Sequence, residues 1–185
     1  MMIPLGFFGS GVAPAAFELI STTVLGSSAA SVTFSGLGTS ASAYKHLQIR
    51  CAAVETAGGG IDSMIMRFNG DTGSNYAWHD VRGINATASS NAAASSSTPY
   101  IAFINGDGVS NLRFSPIIID ILDFSSTSKT KTSRGLSGAL GSVDKGVALK
   151  STLWNSTAAI TSIVLSGASG NLDAGSRFSL YGIRG

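Results

Sequence analysis

The chain has 185 residues, of which 12% are charged and 44% hydrophobic, and its formal net charge is +2. This sparse charge, without a run of lysines or arginines, argues against nucleic-acid binding, and no stretch reaches the roughly 20 apolar residues of a membrane span. The length suits one domain. Soluble domains carry about 25% charged residues, so we expect other subunits to cover part of the exterior.

Residues 1–16 form an apolar segment that we interpret as an anchoring arm. The segment lacks the basic residues that open a signal peptide, and Pro4 and several glycines interrupt it. Free chain ends usually fray unless they are held by contacts, so we expect the arm to pack on a neighbouring subunit. The predicted partner-binding residues are Ile3, Leu5, Phe7 and Phe8.

Residues 17–185 are predicted to form a single all-β domain. Apolar and polar residues alternate in short segments, and clusters of Gly, Asn and Ser separate these segments, a pattern typical of strands joined by turns. The predicted strands are 17–25, 31–34, 44–54, 63–68, 76–82, 100–104, 113–124, 129–137, 147–154, 160–165 and 176–183. Short strands at this spacing predict an antiparallel β-sandwich with a jelly-roll-like arrangement.

Two segments need a separate interpretation. Residues 86–98 are a low-complexity run of Ala, Ser and Asn, which predicts a long surface loop or an extended segment held by a partner. The densest basic stretch contains Lys129, Lys131 and Arg134. We interpret these side chains as the outward positions of one strand and not as a phosphate-binding groove.

The sequence contains no recognisable catalytic motif. His79 and Asp80 are adjacent, so on a strand their side chains point to opposite faces and cannot pair as a base and its orienting acid. His46, or a pair of carboxylates, would need partners that folding brings in. Cys51 lies in an apolar run and is predicted to be a buried thiol. We therefore predict no enzyme activity, no catalytic residues and no cofactor.

Two copies of the tripeptide Asn-Gly-Asp, at 69–71 and 105–107, predict turns. Oxygen-rich loops of this kind can hold Ca²⁺, but turns explain both copies and we predict no metal site. Aromatic residues near the first turn are candidates for glycan binding, although core packing is the favoured interpretation for each of them, as it is for Trp154. The candidate ligand-facing residues are Tyr76, Trp78, Asn69 and Asp71.

Three segments carry a resemblance to a known family. They are FNGDTGSNYAWH at 68–79, LWNSTAAITSI at 153–163 and AGSRFSLYGI at 174–183. Together with residues 6–9 and 17–20, they resemble a widespread family of small structural proteins from the virions of tailed bacteriophages. The resemblance implies a β-sandwich virion component and implies no catalytic residues.

The resemblance leaves the place on the particle open. The favoured expectation is a tail-associated appendage or fibre subunit that is anchored by its arm to other virion proteins and touches a host surface glycan. The alternative is a decoration, or cement, protein on the capsid surface, and a further alternative is a glycan-binding or glycan-cleaving tail module. The appendage and the decoration protein both suit a symmetric homo-oligomer, with a trimer favoured.

Overall fold

The computed structural model describes residues 15–106 and 113–185, which form twelve strands and one short helix, α1 (Leu37–Ser40). The strands are β1 (Phe17–Val24), β2 (Val32–Phe34), β3 (His46–Ala53), β4 (Ile61–Phe68), β5 (Tyr76–Ile84), β6 (Thr87–Ser96), β7 (Tyr100–Asn105), β8 (Ser115–Ile121), β9 (Lys131–Leu140), β10 (Lys145–Trp154), β11 (Ile163–Gly167) and β12 (Arg177–Ile183). The predicted all-β fold is confirmed.

The strands form two sheets. The large sheet has eight strands in the order β1-β12-β3-β8-β9-β10-β5-β6, and the small sheet has four in the order β2-β11-β4-β7. Neighbouring strands within each sheet are antiparallel. The predicted antiparallel sandwich is therefore confirmed, whereas its jelly-roll connectivity stays a prediction.

The main core lies between one half of the large sheet and the small sheet. In one register row, Ile49 on β3 pairs with Ile119 on β8 and with Leu180 on β12. Strand β4 supplies Met66 and Phe68 to the same cluster, and all five side chains are fully buried. Burial of each such side chain contributes about 1.5–3 kcal/mol, so this cluster is the main source of stability.

Aromatic residues close one end of the core. Trp154 is 3% exposed, and its ring lies 5.6 Å from the Phe68 ring and 6.5 Å from the Tyr76 ring. Cys51 is also buried, and burial raises the pKa of its thiol far above the usual value. The predicted core positions of Trp154 and Cys51 are confirmed.

The edge of the small sheet formed by β7 abuts the large sheet instead of facing solvent. The Phe103 N–H donates a hydrogen bond of 2.8 Å to the Ser137 hydroxyl on β9. The Asn105 N–H donates one of 2.9 Å to the Ser115 hydroxyl on β8. Side chains of the large sheet therefore satisfy backbone groups that a neighbouring strand would otherwise bind.

This contact brings the two sheets unusually close. The Thr152 hydroxyl on β10 donates to the Tyr100 carbonyl at 3.1 Å. At Gly135 on β9, an added Cβ atom would lie 1.9 Å from the Ile101 carbonyl oxygen. Any side chain at position 135 would therefore collide with the backbone of β7.

The structure corrects the interpretation of residues 86–98 as a loop. Residues Thr87–Ser96 form strand β6, which pairs with β5 at the edge of the large sheet. Ala, Ser and Asn have low intrinsic strand preference, so the sequence carries no strand signal there. Backbone pairing with β5 supplies the order instead.

The structure also corrects the placement of Lys131, which was expected to point outward. Lys131 is fully buried, and its ammonium donates to the carbonyls of Lys129 at 2.7 Å and Thr157 at 3.2 Å. Arg134 lies on the outer face with its side chain 66% exposed. Positions 131 and 134 differ by an odd number, so on one strand they must point to opposite faces.

The predicted arm lies almost wholly outside the described residues. Ile3, Leu5, Phe7 and Phe8 fall in the part of the chain before residue 15. Their role as partner-binding residues therefore stays a prediction, as does the arm boundary at residue 16.

We predict that Gly135→Ala destabilises the fold while Gly138→Ala, on the same strand, does not. The new methyl at 135 overlaps the Ile101 carbonyl, whereas one at 138 would meet Pro116 Cγ at 3.9 Å, an ordinary contact. Overpacking against backbone should lower the free energy of unfolding by about 1–3 kcal/mol or more, and the control should change it by less than about 0.5 kcal/mol. Urea denaturation measures both, and equal midpoints would contradict the close approach.

Candidate assembly surface

The outer side of the large sheet carries a continuous row of exposed apolar side chains. Val81 on β5 pairs with Leu149 on β10, Leu149 with Leu136 on β9, and Leu136 with Ile118 on β8. Their exposed fractions are 58%, 48%, 51% and 42% in that order. Residues in one register row share a face of the sheet, so four adjacent strands present one apolar strip.

More apolar residues extend this strip along the strands. Val147 and Leu140 are 54% and 66% exposed, and they lie on the same side of β10 and β9, at even spacing from Leu149 and Leu136. We call the six residues the outer apolar face. They are Val81, Ile118, Leu136, Leu140, Val147 and Leu149.

The orientation of side chains on β9 and β10 is the reverse of an ordinary core strand. The inward positions of β9 hold small or polar residues, and those of β10 include a buried lysine, while leucines point to solvent. At Gly135 the close approach of β7 leaves no room for any side chain, and the other inward residues of β9 are Lys131, Ser133, Ser137 and Ala139. Apart from Trp154, which is buried at the end of β10, the large apolar residues of these strands are placed where another molecule can contact them.

A polar row runs beside the apolar strip. Asp120 on β8 accepts hydrogen bonds from Gln48 at 2.7 Å and from Arg134 at 2.8 Å. Partial burial alone would raise the pKa of Asp120, but these two bonds and the Arg134 charge hold it below its usual value. Arg134, Leu136 and Leu149 also line a shallow groove of about 300 Å³. An apolar centre with a polar rim is the anatomy of a protein–protein interface.

The hairpin residues proposed as ligand-facing serve the fold. Residues 68–71 form a tight turn, with Asn69 and Gly70 at φ 53° and 69°. Asn69 Oδ1 accepts from the Thr161 N–H at 2.8 Å, and Asp71 Oδ2 accepts from Trp154 Nε1 at 2.7 Å. Two of the sequence motifs, 68–79 and 153–163, are thereby joined into one bonded unit.

The two aromatic candidates are packed inside the fold. Tyr76 is 1% exposed, and its hydroxyl accepts a hydrogen bond from the Phe68 N–H at 3.0 Å. Trp78 is half-buried, with its ring 5.3 Å from that of Tyr100 in an edge-on contact. Tyr76 is therefore not available to a surface ligand, and Trp78 contributes mainly packing.

Trp78 belongs to a buried charged cluster that sequence reasoning missed. Lys150 is 1% exposed; its Nζ lies 3.4 Å from Asp80 Oδ2 and 4.8 Å from the centre of the Phe103 ring. Burial lowers the pKa of Lys150 although Asp80 opposes that shift. Arg82 Nε lies 3.2 Å from Asp80 Oδ1. Lys150 was not recognised from the sequence because a lysine is almost never fully buried.

His79 and Asp80 lie on opposite faces of β5, as predicted. His79 is exposed and Asp80 is 1% exposed. His46 accepts a hydrogen bond at Nδ1 from the Asp123 N–H at 2.9 Å. His79 lies opposite Ser151 in the β5–β10 pairing.

Folding does bring two carboxyl groups together. Glu55 is fully buried; burial raises its pKa to about 9, with a further contribution from the hydrogen bond and charge of neighbouring Asp62. Burial would also raise the pKa of Asp62, but hydrogen bonds from Glu55, Ser169 and the Ser63 N–H lower it. Near neutral pH Glu55 therefore keeps its proton, whereas Asp62 is ionised. A glycosidase needs two carboxyls that flank an open cleft, and both oxygens of Glu55 are buried.

Other kinds of site receive no support from the described part of the chain. Residues 15–106 and 113–185 contain no group of three or more His, Cys, Asp or Glu side chains placed to hold a metal ion. No helix in these ranges is long and apolar enough to cross a membrane. The outer apolar face is thus the feature of this fold that most directly suggests a function.

Comparison with protein-family models, with curated proteins and with solved structures finds no match. The resemblance to phage structural proteins therefore stays a prediction from the three segments that carry it. The function of the outer apolar face has to be inferred from its own geometry.

We predict that Glu55→Gln flattens the dependence of stability on pH. The folded protein keeps the Glu55 proton up to a pKa of about 9, whereas the unfolded chain loses it near 4.5, so unfolding releases a proton between these values and the wild type loses stability as pH rises. The slope is at most about 1.4 kcal/mol per pH unit, and glutamine cannot ionise.

Thermal or urea unfolding at several values between pH 6 and pH 9 measures this difference. Glu18→Gln is the matched control, because the Tyr44 hydroxyl lowers the pKa of Glu18 and its titration lies below this range. Parallel pH profiles for wild type and Glu55→Gln would contradict the raised pKa of Glu55.

Proposed function

We propose that the chain is a non-enzymatic structural subunit of a tailed-phage virion, working in a symmetric homo-oligomer, and that its favoured place is a tail-associated appendage or fibre. The outer apolar face carries this proposal. Leu136 and Leu149 lie at its centre, side by side on the middle strands and about half-exposed. An isolated subunit leaves these side chains in water, whereas an oligomer buries them.

The dimensions of the face support an interface between subunits. The four strands have seven to ten residues each, and at about 4.8 Å apart and about 24–34 Å long they give a surface of roughly 600 Å². Specific interfaces bury about 800 Å² on each partner, so this face supplies most of the area of a standard interface. Each exposed leucine that becomes buried adds on the order of 1 kcal/mol to association.

The virion role rests on the resemblance carried by the three segments. Each of these segments has a structural role in the fold. Residues 68–79 and 153–163 are joined through Asp71 and Trp154. Residues 174–183 contain the whole of β12, whose Phe178 is fully buried in the main core. Each of the three segments thus contributes side chains to the main core.

A capsid decoration protein is the second candidate. Residues 15–106 and 113–185 form a compact sandwich with no coiled-coil or β-helical shaft of the kind that lengthens a fibre. A compact sandwich with an apolar face also suits a protein that clamps neighbouring capsid subunits. In either location, the proposed arm with Phe7 and Phe8 anchors the subunit to another virion protein.

Glycan recognition is a weaker candidate than assembly. Tyr76 is buried, and the polar atoms of Asn69 and Asp71 are engaged in hydrogen bonds within the chain. Trp78 retains partial exposure but packs on Tyr100. A host glycan would therefore have to bind elsewhere on the oligomer, for instance where two subunits meet.

We predict that the wild-type protein forms an oligomer, with three copies favoured, and that Leu136→Gln combined with Leu149→Gln dissociates it. The two substitutions remove the apolar centre of the face, and both positions are already about half-exposed, so the fold should persist. Sedimentation velocity over a range of concentrations measures the mass. Circular dichroism checks that the variant is folded.

Leu19→Gln combined with Val24→Gln is the matched control. These residues are 57% and 52% exposed on β1, at the far edge of the same sheet. The control should keep the wild-type mass. A monomeric wild type, or equal masses for wild type and the Leu136/Leu149 variant, would contradict assembly through the outer apolar face.

The location is decided by cryo-electron microscopy of the intact phage particle whose genome encodes this chain. We expect density for the sandwich at the tail, in multiples of three or six copies. Density on the capsid lattice, in copy numbers that follow icosahedral symmetry, would favour the decoration role instead. A particle without density for this chain would overturn the virion proposal.

A further inference from the structure

Three of the four sheet edges in the described part of the chain are protected against pairing with another strand. Strand β7 is bonded to hydroxyls of the large sheet, including that of Ser137. Strand β2 has three residues and offers little to a partner. Strand β1 carries Glu18 and a register irregularity between Leu19 and Ser21. Charges, bulges and short length are the usual means by which proteins block edge pairing.

The fourth edge, β6, has none of these protections over most of its length. It is ten residues long and consists of Thr, Ala, Ser and Asn, with no charged residue and no proline. Residues 87–93 pair without interruption with residues 78–84 of β5, and the irregularity lies beyond them, towards Ser95. Its other side has no partner strand in the sheet. About 30 Å of backbone donors and acceptors is therefore open to another strand.

Strand β6 is also exposed on both of its faces. Eight of its ten residues are exposed and the other two are half-buried, so nothing in residues 15–106 and 113–185 forms a layer over it on either side. A two-stranded ribbon gains little stability on its own in water. An edge strand that neither contributes to the core nor is protected from pairing has the properties of a strand used for assembly.

We propose that the free edge of β6 pairs antiparallel with β6 of a second copy, which joins two large sheets into one continuous sheet. A strand paired antiparallel with itself about a two-fold axis places its first half opposite its second half. Because Thr87–Ser96 contains no charge, no like charges meet in any register. Its small side chains also let two such ribbons approach without steric conflict.

A second copy fits this edge better than a foreign peptide does. Proteins that capture peptide strands flank the bound strand with pockets for its alternate side chains, and these pockets give specificity. The side chains on both faces of β6 are small and exposed and form no such pocket of their own. Pairing through backbone hydrogen bonds alone suits an identical strand that assembly already supplies at high local concentration.

The edge contact is separate from the outer apolar face. It involves the outermost strand, whereas the outer apolar face is centred on β9 and β10. A two-fold edge contact added to a cyclic oligomer doubles the number of subunits and closes the assembly with dihedral symmetry. If the oligomer is a trimer, the full assembly is a hexamer.

The test combines Ser89→Lys with Asn91→Lys. Both residues are exposed and pair with Arg82 and Asp80, so they point away from the outer apolar face. Four lysines, two from each copy, would lie along the shared edge and should raise the concentration needed for edge pairing by at least about tenfold. Sedimentation velocity should show half the wild-type mass, with unchanged circular dichroism.

The matched control is Thr72→Lys with Ser74→Lys in the exposed turn before β5, which adds the same charge away from the edge and should keep the wild-type mass. Hydrogen exchange gives a second readout.

Backbone amides of residues 87–96 should be protected from exchange in the wild-type assembly, because pairing covers them, and should exchange faster in the Ser89/Asn91 variant. A third readout uses single cysteines at positions 89–93, where one position nearest the two-fold axis should form an intermolecular disulfide.

The possible outcomes distinguish this proposal from assembly through the outer apolar face. Half the wild-type mass in the edge variant, with protection lost from residues 87–96, supports β6 pairing even if the Leu136/Leu149 variant behaves as wild type. An unchanged mass together with fast exchange of these amides in the wild-type assembly overturns it. Protection that appears when another protein is added, and is absent in the protein alone, also overturns pairing with a second copy.

Discussion

The docking of the β7 edge against the large sheet is the contact on which the rest of the fold depends. Backbone N–H groups of Phe103 and Asn105 bind serine hydroxyls on β9 and β8 instead of another strand. Buried backbone groups must find partners, and here the partners are side chains of the opposing sheet. This contact requires the two backbones to come so close that position 135 can hold only glycine.

The close approach explains the distribution of side chains in the large sheet. Near β3, β8 and β12 the sheets are separated by a conventional apolar core, which contains Ile49 and Ile119. Near β9 and β10 the gap holds small and hydroxyl-bearing residues together with Lys150. Leu136 and Leu149 consequently lie on the outer side, where they form an assembly surface. The same geometry that satisfies the edge of the small sheet thus exposes an apolar face on the large one.

Buried charged groups carry a desolvation free energy that apolar side chains in the same positions would not carry. Lys150 has Asp80 as its ion-pair partner inside the sandwich, and Glu55 stays protonated beside Asp62. Buried ion pairs are often no more stabilising than apolar replacements, but loss of one partner is strongly destabilising. Lys150 and Asp80 join β10 to β5 inside the sandwich, and both strands carry residues of the outer apolar face.

The sequence by itself determined the all-β class, the positions of most strands, the turn at 68–71 and the burial of Trp154 and Cys51, because alternation and turn residues are local signals. It did not indicate β6, since Ala and Ser carry no strand preference, nor the inward orientation of Lys131 and Lys150. It also left the meeting of Glu55 with Asp62 undetermined. Tertiary structure decided these features, because the face of a strand that points inward depends on how closely the opposing sheet approaches. Along β9, and along β10 as far as Thr152, that approach reverses the usual rule that large apolar residues point inward.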